Sequence, residues 1–199
     1  MRIACSLGSL LSVEEVLQCT QIISDTKIDS IWIPETWGME NFSMLGAVAN
    51  KTKTQKIGSS IINIYSRSPS TISMGAATTD TLSNGRLILG LGTSSVPIVE
   101  DFHGEKFETP VQRMREYVEI IRLSLTKKQI NYSGKIFDLK NFTLLIEPQR
   151  QSIPIYLAAI NQKMVNICWE IADGVIFYLR PIDEMKKTIS KMQSQKNID

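Results

Sequence analysis

Hydrophobic positions along this chain follow two rhythms. Six short, nearly continuous apolar runs, at 2–7, 29–35, 56–64, 86–92, 153–159 and 173–179, are rich in Ile, Leu and Val. Runs of that length predict strands covered on both faces. Between them, apolar residues recur every three or four positions. Val13, Val16, Leu17, Thr20 and Ile23 do so behind Ser12 and Glu15, which have capping-box spacing. Segments 43–52, 68–85, 162–172 and 181–193 also read as helices, and Thr109–Pro110 opens a long one running to about Leu125. Pro69 suits a first helical turn and Asn84–Gly85 a helix end.

Strand and helix therefore alternate six times. Parallel neighbours need a crossover connection, usually a helix, so the alternation predicts an α/β fold with a parallel sheet. A doubly wound sheet and a (β/α) barrel both satisfy it. Residues 127–150 interrupt the pattern with INYSGKIFDLKNFTLL, which reads as a small antiparallel hairpin turning at Ser133–Gly134. It is an insertion after the fourth helix, within a single domain over 1–199.

Composition narrows the function classes. The 199 residues are 43% hydrophobic with a formal charge of +2, enough for a substantial core. The basic residues are scattered, and Lys51, Lys53 and Lys56 or Lys186 and Lys187 suit solvated helix ends. No concentrated basic face points to nucleic acid. Cys5, Cys19 and Cys168 are odd in number and far apart, as expected of reduced cysteines in a cytoplasmic protein. No apolar run approaches the ~20 residues that span a bilayer, and no signal peptide is expected at the start.

In parallel α/β folds, sites form at the carboxyl ends of strands. Those ends hold Glu35 and Trp37, Ile61 and Asn63, Gly92 and Thr93, Ala159 to Gln162, and Tyr178 to Arg180. They contain no Ser-His-Asp set, no Cys-His pair and no cluster with metal-ligand spacing, so no metal is expected. The stretch TLSNGRLILGLGTSS at 81–95 lacks both nucleotide signatures: its glycine pair follows the fourth strand, and no lysine of a phosphate-binding loop follows it. Gly90 and Gly92 either admit a flat ligand close to the backbone or merely allow tight packing. Thr93 and Asn63 could bond carbonyls, and Trp37 could wall a ring, which together describe a pocket for a planar cofactor. Glu35 reads as a catalytic candidate or a strand-end carboxylate on the surface. Arg67 could steer a phosphate or sit solvated. His103, the sole histidine, is a candidate acid–base group or a packing residue beside Phe102.

Four segments carry a resemblance. TTDTLSNGRLILGLGT, KIGSSIINIYSRSPS, HGEKFETPVQRMREYVEIIR and IPIYLAAINQKMVNICWEIADGVIF resemble, in the same order, blocks of the bacterial-luciferase-like superfamily. They look most like its deazaflavin branch, which uses coenzyme F420. The resemblance implies a TIM barrel of (β/α)8 type with the cofactor ring in its mouth. It implies a non-prolyl cis peptide in the third strand, here Ser60–Ile61, where the family has glycine at the Ser60 position. It places Asn63, Gly92 and Thr93 near the ring, and the phosphate-bearing tail over the amides of Ala159, Ile160, Asn161 and Gln162. Asn161–Gln162 stands where the family has Gly-Pro, and Glu35–Thr36–Trp37 where many relatives have Asp-His. Glu35, Trp37 and His103 become the catalytic candidates.

The function implied is hydride transfer between coenzyme F420 and a small-molecule substrate. An FMN-dependent monooxygenase and a non-catalytic flavin-binding protein are the alternatives. A complete barrel takes about 250 residues, and this chain supplies six β–α units plus the insertion. Strands seven and eight are therefore expected to be missing, either because the chain is a fragment or because it is a reduced member. Two unpaired sheet edges would follow, and with them a homodimer or higher oligomer that covers them.

Overall fold

The computed structural model describes residues 2–8 and 10–196. In chain order the strands are β1 (Ala4–Ser6), β2 (Ser30–Ile33), β3 (Lys56–Ser59), β4 (Ile62–Asn63), β5 (Leu87–Gly92), β6 (Ile130–Ser133), β7 (Asp138–Phe142), β8 (Ile155–Ala158) and β9 (Gly174–Ile176). The helices are α1 (Val13–Ser24), α2 (Asn41–Lys51), α3 (Pro69–Leu82), α4 (Pro110–Thr126), α5 (Gln162–Ile171) and α6 (Ile182–Lys196). Strands β1, β2, β3, β5, β8 and β9 lie side by side in that order, all parallel, as a half-barrel with alternating helices. Among the described residues the outer edges of β1 and β9 have no strand partner. No described helix is long and apolar enough to cross a membrane.

The helix starts follow the local chemistry. Ser12 Oγ accepts from Glu15 N at 3.2 Å and Glu15 Oε2 from Ser12 N at 2.7 Å, the reciprocal capping box. Ser68 caps α3 ahead of Pro69, and Asn84 and Gly85 turn the chain out of it with φ of 53° and 76°. Helix α2 begins at Asn41, two residues before the expected start, because the Glu40 carboxylate accepts from the amides of Phe42 and Ser43. After β5 the sequence suggests only loop. The structure instead forms a π-helical turn over Ile98–Phe102, anchored by the fully buried Val99.

Side chains alternate across the sheet. Ile31, Ile33, Ile57, Leu87, Leu89, Leu91, Ile155 and Leu157 are inaccessible to solvent and form the core together with helix residues such as Val16, Leu45, Ile72, Met114 and Tyr117. The inner face carries Trp32 and Tyr156, whose ring centroids lie 5.9 Å apart. Each ring lies over a glycine of the next strand: an added Cβ on Gly58 would meet the Trp32 ring at 2.5 Å, and one on Gly174 the Tyr156 ring at 2.7 Å. Cys5, Cys19 and Cys168 are free thiols, and burial pushes the Cys168 thiol up to about 12.

The block 79–92 is held by charged side chains aimed inward. Arg86 donates to the carbonyls of Ala49, Thr52 and Gln55 and to Thr52 Oγ1, closing the end of α2. Asp80 is fully buried, accepts from Leu87 N and pairs with Arg150 at 2.8 Å.

The hairpin β6–β7 turns after Ser133, where Gly134 N donates to Phe137 O. Buried Glu116 of α4 grips that turn: it accepts from Gln112 Nε2 and from the amides of Lys135, Ile136 and Phe137 at 2.8–3.1 Å. Burial alone would raise its carboxyl, but these hydrogen bonds outweigh that and hold it below the usual range. A folded-state value below the unfolded one means its contribution is complete above about pH 4.5 and fades as pH falls through the folded value. Glu116→Gln is expected to cost about 2–3 kcal/mol, since an amide presents N–H groups to some of these donors. Amides 135–137 should then exchange faster than those of β5. Unchanged exchange there would refute the role.

Candidate functional site

The carboxyl ends of the strands form a mouth with two adjoining concavities. The larger has a volume of about 460 Å³, and Ser60, Ile61, Gly92, Thr93, Ala159, Ile160 and Asn161 all line it. The smaller, about 280 Å³, is lined by Glu35, Trp37, Arg67 and His103 among others. The cofactor-binding and catalytic candidates thus fall into two neighbouring groups. Gln162 begins α5 beside the larger one, its side chain bonded to Asn166 at 2.8 Å. Asn63 is buried behind the mouth.

A break between β3 and β4 shapes the larger cavity. The Ser60–Ile61 peptide is cis, and β4 pairs with the far end of β5 at Leu91 and Gly92. Ser59 Oγ accepts from Gly90 N at 2.7 Å and donates to Gly90 O at 2.8 Å, tying the break to β5. Here lies the reason for the glycine pair. A Cβ on Gly90 would stand 1.8 Å from the Ser59 carbonyl oxygen, and one on Gly92 would stand 2.6 Å from the Ile61 side chain. Both glycines make room for the break, and Gly92 also lines the cavity that the break creates.

Two buried polar atoms in this bulge, Ser60 Oγ and Asn63 Nδ2, have no hydrogen-bond partner. Asn63 Oδ1 accepts from Tyr65 N at 3.0 Å, which fixes the amide so that its unsatisfied end is the donor. On the facing wall, Asn161 caps α5 by accepting from Met164 N at 3.0 Å.

Arg67 neither steers a free phosphate nor lies solvated. Its guanidinium grips both oxygens of Glu35 and also reaches Glu40. The side chains of Arg67 and Glu35 are only 15% and 11% exposed. Hydrogen bonding to Glu35 raises the arginine's already high pKa. Glu35 also accepts from Asn41 N at 3.1 Å and lies 3.5 Å from Asn63 N, so it joins β2, α2 and the bulge. His103 is exposed at the end of the π-helical turn, whereas Trp37 and Phe102 meet edge to face with centroids 5.8 Å apart.

Ile98, Phe107 and Met164 also line the larger cavity. No sequence signal marked the first two, because neither the π-helical turn that holds Ile98 nor the irregular segment that holds Phe107, stacked on Tyr65, has a periodic pattern. Met164 could have been found from its place in the first turn of α5. Among the described residues no group of three or more His, Cys, Asp or Glu is placed to hold a metal ion.

Known proteins resemble this chain in sequence and fold. The chain is 36% identical over 157 residues to a 5,10-methylenetetrahydromethanopterin reductase of Archaeoglobus fulgidus, covering 78% of this chain and 46% of that one. It is 28% identical over 162 residues to an F420-dependent glucose-6-phosphate dehydrogenase of Amycolatopsis mediterranei, covering 75% and 48% respectively. The solved coenzyme F420-dependent tetrahydromethanopterin reductase of Methanopyrus kandleri superposes with a TM-score of 0.81 at 24% identity, over 88% of this chain and 55% of that one. The chain therefore spans about half the length of the curated relatives it matches. The profile of the family described as luciferase-like monooxygenase matches residues 2–197. With that match over nearly every residue, the chain belongs to the luciferase-like monooxygenase family.

Proposed function

We propose that the chain binds coenzyme F420 in the larger cavity and serves hydride transfer between it and a small organic substrate. The supporting observation is the pair of orphaned atoms, Ser60 Oγ and Asn63 Nδ2, in the wall of that cavity and just behind it. A buried donor without a partner costs ~1–3 kcal/mol, and the carbonyl and nitrogen edge of a flat heteroaromatic ring answers that need. The amides of Ile160, Asn161 and Gln162 lead into the start of α5, a suitable cradle for a phosphate. Bound deazaflavin would supply the ring carbon that carries the hydride. Ile61, Ile98, Phe107 and Met164 would flank the ring and exclude water. His103 would hold or deliver a proton at a substrate oxygen, Trp37 would wall the substrate, and Glu35 would act on Asn63 as a positioning residue.

The relatives named for F420 support this choice of cofactor, and FMN is the alternative that the wider family offers. We further propose a cytoplasmic protein that forms a homodimer or higher oligomer, because β1 and β9 leave two edges open.

The test is a fluorescence titration with F420 and with FMN, with the mass recorded by light scattering in the same buffer. Micromolar F420 binding is expected, weakened about tenfold, or about 1.4 kcal/mol, by Asn63→Ala. Tighter binding of FMN would favour the monooxygenase reading. Binding of neither would overturn the cofactor site, and F420 binding without turnover on any substrate would leave a non-catalytic carrier.

A further inference from the structure

We infer that Tyr65 and Arg113 are positioning residues for the larger cavity. Neither lines it, yet together they hold its apolar wall at Phe107 and the buried donor at Asn63. Their effect on the coenzyme rests on the proposed F420 site.

Tyr65 follows β4 and is buried. Its ring stacks on Phe107, with centroids 5.3 Å apart and planes 23° from parallel, and Phe107 lines the cavity. The Tyr65 hydroxyl donates to the Glu108 carbonyl oxygen at 2.8 Å, which pins the residue after Phe107. Phe107 N donates to Glu100 Oε1 at 3.1 Å, which ties the same segment to the π-helical turn. Residues 104–109 form no helix or strand, so these contacts decide where the Phe107 ring stands. Tyr65 N meanwhile donates to Asn63 Oδ1 at 3.0 Å, and Asn63 Nδ2 is left as the unsatisfied donor. A single residue therefore fixes one apolar and one polar feature of the site.

Arg113, in the first turn of α4, holds Tyr65 in turn. Its Cζ lies 4.5 Å from the Tyr65 ring centroid and 5.4 Å from that of Phe137. A guanidinium over an aromatic face is attracted by the ring's quadrupole. Among the described residues no carboxylate pairs with Arg113, and its buried Nε has no hydrogen-bond partner. Aromatic rings, not an ion pair, set its place. Phe137 belongs to the turn that Glu116 grips, so the hairpin backs the cavity wall through Arg113.

The experiment titrates F420 into the native chain and four variants by fluorescence anisotropy, and records NMR spectra of the coenzyme-free proteins. Tyr65→Leu is expected to weaken binding about tenfold. At saturating coenzyme it should also lower the anisotropy, because the bound ring has lost its wall. Tyr65→Phe keeps the stack and should stay within about threefold of the native affinity. Arg113→Met should lie between the two. Ile64→Val, in the neighbouring core residue, should lower the melting temperature and leave affinity and anisotropy unchanged. Without coenzyme, Tyr65→Leu and Arg113→Met should each move the Asn63 side-chain amide and Phe107 ring resonances, and Ile64→Val should not. Stationary resonances in Arg113→Met, native affinity in Tyr65→Leu, or a Tyr65→Phe as weak as Tyr65→Leu would overturn the inference. Arg113→Met carries the test if Tyr65→Leu does not fold. If the native chain binds no F420, the coenzyme reading falls, and the resonances alone decide the positioning roles.

Discussion

Alanine at position 90 should leave the sheet unable to close around its own break. The added methyl would stand 1.8 Å from the Ser59 carbonyl oxygen, and both partners are backbone, so no rotamer relieves the clash. Shifting β5 away also sacrifices the two hydrogen bonds between Ser59 Oγ and Gly90. Overpacking commonly costs 1–3 kcal/mol, and with the lost bonds the expected destabilisation is about 4 kcal/mol, a large part of a domain's stability. Urea unfolding followed by circular dichroism would measure it. Gly46→Ala is the control: it lies inside α2 with only Leu82 Cδ1 nearby at 3.6 Å, so it should gain about 0.5–1 kcal/mol. If Gly90→Ala unfolds at the native midpoint, the account of the glycine pair is wrong.

Arg67→Met should be nearly as severe, for an electrostatic reason. It strands the mostly buried Glu35 carboxylate, and breaking one side of a buried pair costs about 3–5 kcal/mol. Arg67→Lys keeps the charge but loses the planar fork that grips both oxygens of Glu35, so it should recover only part of the loss. Pairing Arg67→Met with Glu35→Leu should cost clearly less than the sum of the two single changes. That double-mutant cycle measures the coupling, and strict additivity would mean that the two side chains do not depend on each other.

Much of the fold was legible because local rules and tertiary structure agree. The apolar runs became strands, the Ser12 box and the Ser68–Pro69 start became helix caps, and Ser133–Gly134 became a hairpin turn. The pattern could not show pairings between distant residues. Asp80 meets Arg150 seventy positions away, and nothing in either neighbourhood announces it. The DTLSNGR segment has its identity largely from such anchoring: Asp80 and Arg86 hold the frame, while Gly92 and Thr93 reach the mouth. The site was legible as a set of strand ends. Its division into two concavities was not, because that depends on the π-helical turn and on the Arg67 ion pairs. Arg67 is instructive: a lone arginine in a loop looks solvated until Glu35 and Glu40 fold onto it.

The order of the parallel strands follows the order of the chain, and this has a consequence for assembly during synthesis. Each strand pairs with one already made, so the sheet can grow from a single side as the polypeptide emerges, without waiting for a later segment. The longest connection here runs from Gly92 through α4 and the hairpin to Ile155, and closure entropy rises only slowly with its length. Nascent chains need therefore expose only one unpaired strand at a time.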